Sequence, residues 1–154
     1  MWGATVGNLL VQSPNNPPAQ LAIALNLLYG ATFTVHNRAI SGTTLRQMMA
    51  GTDGSGTPFS QKIGIGGVDQ ATGVIYCNHC LNDSQLNGDI VQYRSDLVEF
   101  VRLCRIAGKV PILVTPTPNP PLLIIDEVKS KRLYNFVKTM RDICSKMGVD
   151  LVDQ

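Results

Sequence analysis

Two long stretches of the chain carry apolar residues at three-and-four spacing. Over residues 88–107 the stripe is Ile90, Tyr93, Leu97, Val101 and Cys104; over residues 127–147 it is Leu133, Phe136, Val137, Met140, Ile143, Cys144 and Met147. That spacing predicts two long helices, each burying one face. Asn87 or Asp89 serves the start of the first, and Gly108 and Gly148 stand where the two helices end. A narrower stripe, Leu21, Leu25 and Leu28, predicts a helix over residues 18–29 closed by Gly30. The turn before it, Ser13-Pro14-Asn15-Asn16-Pro17-Pro18, suits a helix start because proline in a first turn forfeits only an unpaired N–H. A short helix over residues 45–49 would be capped by Thr43 or Thr44.

Between these helices the pattern changes. Val74-Ile75-Tyr76-Cys77 opens an apolar run of the kind that forms a buried parallel strand, then closes on the polar group Asn78-His79-Cys80-Leu81-Asn82-Asp83. Residues 109–115 read as a second strand with Pro111 near its start, residues 149–152 as a last one, and residues 32–36 as a short early one. Residues 1–10 read as a loop. Glycines break up residues 51–58 and 64–67 without forming a phosphate cradle, since the full G-x-G-x-x-G after a strong strand is missing. Strands alternating with helices predict an α/β fold, a parallel sheet with helices on both faces. Ligands in such sheets bind beyond the carboxyl ends of the strands. That rule selects Ser41-Gly42 and Asn82-Asp83, with the stiff loop of residues 116–121 on the same rim as Asn82.

The totals narrow the classes. A chain of 154 residues suits a single domain over residues 1–154 with a real core. Apolar residues make up 44% and charged residues 16%, with a net charge of +2, too balanced for a nucleic-acid partner. No apolar run is long enough for a membrane span. The first residues lack the basic start of a secretion signal, which reads as cytoplasmic as synthesised. Cys77, Cys80, Cys104 and Cys144 are scattered rather than arranged as a disulfide framework. Cys77-Asn78-His79-Cys80 has no second ligand cluster, so the expectation is buried thiols, no metal and no cofactor.

A glycine amide at a turn into a helix and an asparagine carboxamide at a strand end are two donors. Aimed at one point, they suit the negative oxygen of a tetrahedral intermediate. Asn37-Arg38-Ala39-Ile40-Ser41-Gly42-Thr43-Thr44 resembles the second conserved block of the SGNH/GDSL hydrolases, whose glycine donates to the oxyanion. Cys80-Leu81-Asn82-Asp83 resembles the third, G-x-N-D, whose asparagine is the other donor. Ser13 to Pro17 and the apolar helix after them are similar to the segment next to the family's first block. The resemblance implies a three-layer α/β/α sandwich with a flavodoxin-like parallel sheet. It implies hydrolysis of carboxylic esters on sugars or lipids, without a cofactor. Gly42 and Asn82 would form the oxyanion hole, Asp83 would orient the loop, and Ser41, Thr115, Pro116 and Thr117 would shape the rim for a small-molecule or glycan ester.

Two blocks of that family are missing. No Gly-Asp-Ser nucleophile block and no Asp-x-x-His base block occurs among these residues, and Cys80 stands where the third block has glycine. Neither Ser41 nor Ser84 has an identifiable base and orienting acid. The chain alone is therefore expected to be inactive as an esterase, its nucleophile and base lying outside it. The alternative is a non-catalytic module derived from such an esterase that binds a carbohydrate or acyl ligand, as in phage tail proteins. In the resembling fold the first strand lies centrally, between those at Phe33 and Ile75. Its absence would uncover strand edges and invite self-association.

Overall fold

The computed structural model describes residues 3–6, 9–12, 17–30, 32–117 and 126–154. The chain divides into two compact units, Met1–Ser41 and Gly42–Gln154.

The first unit holds an antiparallel hairpin, β1 (Gly3–Val6) with β2 (Leu9–Gln12), and a helix, α1 (Pro17–Tyr29). The register pairs Val6 with Leu9 and Gly3 with Gln12. This corrects the expectation of a loop over residues 1–10. The Gly7-Asn8 dipeptide is a hairpin signal that outweighs the weak alternation around it. The turn expected at Ser13–Asn16 lies outside the described residues. The strand expected over residues 32–36 does not form; this segment is irregular. A strand needs a ladder for its backbone groups. Here the Asn26 side chain takes both polar groups of Phe33, accepting from its N–H at 2.5 Å and donating to its C=O at 3.4 Å.

The second unit is α/β. Helices α2 (Leu45–Ala50) and α3 (Phe59–Ile63) precede strand β3 (Val74–Cys77). A π-helical turn (Asp83–Asn87), helix α4 (Ile90–Ile106), strand β4 (Val110–Val114), helix α5 (Glu127–Met147) and strand β5 (Asp150–Val152) come after it. The three strands form one parallel sheet in the order β3-β4-β5, with Ile75 opposite Pro111 and Leu113 opposite Leu151. A parallel sheet flanked by helices is compatible with a flavodoxin-like sandwich lacking a strand.

Both crossovers advance in the same direction across the sheet. Right-handed connections therefore put α4 and α5 on one face, and the two helices pack against each other. Residues 42–154 thus show the α/β class and the parallel sheet expected from alternating strands and helices. Burial varies along the strands. Cys77 and Leu113 are buried in the core, whereas Val74 is 44%, Tyr76 51%, Val110 51% and Val152 42% exposed. β3 is accordingly a half-buried strand, not one buried on both faces.

The core is the helical stripe read from spacing. Leu97, Phe100, Val101 and Cys104 of α4 meet Phe136, Met140 and Ile143 of α5, and Leu45 joins them from α2. Phe59 stacks on Phe100 at 5.0 Å and Tyr93 meets Phe136 at 4.8 Å, ring pairs that add to their area burial. Arg46 clasps the buried Asp96 through two hydrogen bonds of 2.9 and 3.3 Å, fixing α2 to α4. Asp89 caps α4 by accepting from the amides of Val91 and Gln92.

Candidate functional site

The site is built where the segment leading into α2 meets the segment leaving β3. Gly42 has φ +73°, a left-handed backbone that glycine adopts without strain. A Cβ added there would touch nothing within 4 Å, so the turn stands open on its outer side. Thr43 and Thr44 immediately after it are buried. Thr44 caps α2: its hydroxyl accepts from the Gln47 amide at 3.3 Å, and the Gln47 side chain accepts from the Thr44 amide at 2.9 Å.

Two long-range bonds stitch this turn to the end of β3. Asn82 Nδ2 donates to the Thr43 carbonyl at 3.0 Å. The Leu45 amide donates to Asp83 Oδ1 at 2.9 Å. Leu45 is the first residue of α2, and its N–H has no carbonyl within the helix. A carboxylate placed there satisfies the amide and faces the positive end of the helix. The sequence therefore uses adjacent residues, Asn82 and Asp83, to grip a carbonyl and an amide two positions apart.

Asp83 is 5% exposed and its second oxygen, Oδ2, has no hydrogen-bond partner. Burial pushes its carboxyl up to about 6, aided by the charge of Asp96 and opposed by the Leu45 amide. His79 belongs to the same corner. Burial pulls its ring down to about 4, against a bond to the Thr43 backbone, so it is neutral at pH 7. Its own carbonyl accepts from the buried Tyr93 hydroxyl at 2.7 Å. His79 matches no catalytic block of the resembling family, so motif order does not single it out. Its place three residues before Asn82, in one turn, was the available signal.

Cys80, at the position of the block's glycine, is 1% exposed. Burial raises the Cys77 and Cys80 thiols to about 12, and all four cysteines are free and buried. Ser84 is fully buried and donates to the Leu81 carbonyl at 2.8 Å, a position closed to substrate. Among the described residues no group of three His, Cys, Asp or Glu could hold a metal ion.

The rim residues fall differently. Ser41 is exposed and ends the first unit. Thr115 is 1% exposed; its hydroxyl donates to Asp153 at 3.0 Å and accepts from the Gln154 amide at 2.8 Å. It seals β4 to the segment after β5 instead of facing a ligand. Pro116 is half-buried, and Thr117 is exposed with its hydroxyl on the Gln154 side chain at 2.7 Å. The rest of the loop, residues 118–121, lies outside the described residues. Structure thus gathers Gly42, Asn82 and Asp83, and ties Thr115 and Thr117 to the C-terminal segment.

No family model matches the chain, and neither a curated protein nor a solved structure matches it. No helix among the described residues is long and apolar enough to cross a membrane.

Proposed function

We propose that this chain is an SGNH-type ester-hydrolase scaffold whose Gly42–Asn82 corner receives the carbonyl oxygen of an acyl ester on a small molecule or glycan. The observation that supports it is the pair of bonds from Asn82 to Thr43 and from Leu45 to Asp83. They hold the two candidate donor segments together across 38 and 39 residues of sequence. A carboxamide has two N–H donors. Thr43 takes one, which leaves the other for a ligand oxygen. Asp83 orients the loop by holding the first amide of α2.

The chain contains neither Gly-Asp-Ser nor Asp-x-x-His, so the corner has no serine and base of the family's kind. That favours binding at this corner over turnover by these residues, the reading in which the domain is a non-catalytic acyl or carbohydrate module. The test is nuclear magnetic resonance with methylphosphonate, a tetrahedral anion. The Gly42 amide and the Asn82 carboxamide should shift together along one binding curve. Asn82→Ala should abolish the Gly42 shift. A Gly42 shift that persists at unchanged affinity in the variant, or no shift in the parent, would remove the reading.

Self-association is part of this proposal. β3 forms one end of the sheet, with no strand beyond it among the described residues, and Val74 and Tyr76 lie exposed on it. Such an edge pairs readily with another strand.

A further inference from the structure

A second cluster of reactive groups lies after α2, in the turn that joins it to α3. Gly51 ends α2 with φ +75°, and a Cβ there would meet the Thr57 carbonyl carbon at 2.5 Å. The chain therefore closes tightly on itself between Gly51 and Thr57. Ser55 sits at the exposed tip of this turn, between Gly54 and Gly56, both with positive φ.

The Ser55 hydroxyl is gripped from two sides by charge. It donates to Asp53 Oδ1, and Lys62 Nζ of α3 donates to it at 2.6 Å. The Ser55 amide also donates to Asp53 Oδ1, at 3.0 Å, and the hydroxyl reaches the Thr57 carbonyl at 3.4 Å. Lys62 Nζ lies 3.7 Å from Asp53 Oδ2, closing the triangle. The side chain of Asp53 is 2% exposed and that of Lys62 14%. An ordinary turn of this kind needs only the backbone amide on the aspartate. Here the hydroxyl itself is held between a proton acceptor and a cation, on a residue that is exposed. Burial pushes the Asp53 carboxyl up, but hydrogen bonds from Ser55 and the Lys62 charge outweigh it and hold the carboxyl below its ordinary value. The acceptor is thus ionised at neutral pH.

We propose that Ser55 is a nucleophile toward activated carboxylic esters, with Asp53 accepting its proton and Lys62 facing the developing oxyanion. A hydroxyl becomes a useful nucleophile when a base and an electrostatic partner stand within hydrogen-bond reach. In the step, Ser55 Oγ bonds to the acyl carbon and its proton passes to the Asp53 carboxylate. The carbonyl electron pair moves onto oxygen beside the Lys62 ammonium. Collapse restores the carbonyl, breaks the bond to the phenolic oxygen and releases phenolate; Asp53 returns its proton to water. The product is an ester on Ser55. This site is separate from the Gly42–Asn82 corner and does not depend on it.

The experiment treats the full chain with p-nitrophenyl acetate and locates the acetyl group by peptide mass spectrometry. Acetylation of Ser55, reversed by hydroxylamine as an ester is, supports the proposal. Asp53→Asn should slow it about a hundredfold, the span of one general base, and Lys62→Met should slow it about tenfold or more with an unchanged circular dichroism spectrum. Asn82→Ala should leave it unchanged, which separates this inference from the function proposed above. Should Asp53→Asn fail to fold, the parent unfolded in urea replaces it: its Ser55 should lose the reactivity. Acetyl groups on Lys62 but not on Ser55, equal reaction of folded and unfolded chains, or full reactivity in Lys62→Met would overturn the proposal.

Discussion

At the scale of single residues, Asp83 makes the sharpest demand. Its buried carboxyl is raised to about 6 from an ordinary 3.8, so the native state keeps a proton over a range where the unfolded chain has lost it. Stability from this group is therefore greatest below the unfolded value and is lost as pH rises through about 6. Relative to Asp83→Asn, the parent should gain on the order of 3 kcal/mol between about pH 7 and pH 4, read from urea midpoints. A difference that is flat with pH would show that Oδ2 is solvated. Asn82→Ala removes one donor to the part-buried Thr43 carbonyl and should cost about 0.5–1.5 kcal/mol in the same assay. It should not change release of p-nitrophenolate if, as proposed, the corner binds an ester without turning it over.

At the scale of elements, the turn between α2 and α3 is the most constrained connection. Gly51→Ala places a methyl group against the Thr57 backbone in a left-handed conformation. It should lower the melting temperature through a loss of more than about 1 kcal/mol, and with it the reactivity of Ser55. The long helices were legible because a stripe repeated over five or six turns is hard to mistake: α5 starts and stops where the spacing of Leu133 to Met147 and the glycine at 148 place it. The cap at Thr44 and the start of α4 at Asp89 were legible for the same local reason. What was hidden is non-local. Residues 32–36 have strand-forming side chains, but Asn26 takes the backbone groups that a neighbouring strand would need. The helix α3, only five residues long, leaves no periodic trace. At the site, the candidate pair Gly42 and Asn82 could be named from motif order. The burial of Thr115 beneath Asp153 and Gln154 could not, since it depends on where the last strand ends.

At the scale of the whole molecule, the sheet of the second unit carries Val74, Tyr76, Val110 and Val152 exposed on one face, with Val114 of that face buried. Apolar side chains aligned on a strand that ends the sheet are where the self-association proposed above would take place. Sedimentation at rising concentration should show oligomers, and Tyr76→Lys should shift them toward monomer. A parent that stays monomeric throughout would mean that this face is covered in solution.

The four cysteines turn the core into its own clock. Cys77, Cys80, Cys104 and Cys144 are spread over β3, the turn beyond it and both long helices, each buried and unpaired. A thiol reagent can reach them only when the surrounding packing parts, so the order in which they are alkylated ranks the local opening free energies of strand, corner and helices. Cys80, beside Asn82, reports the corner; Cys104 and Cys144 report separation of the helical pair.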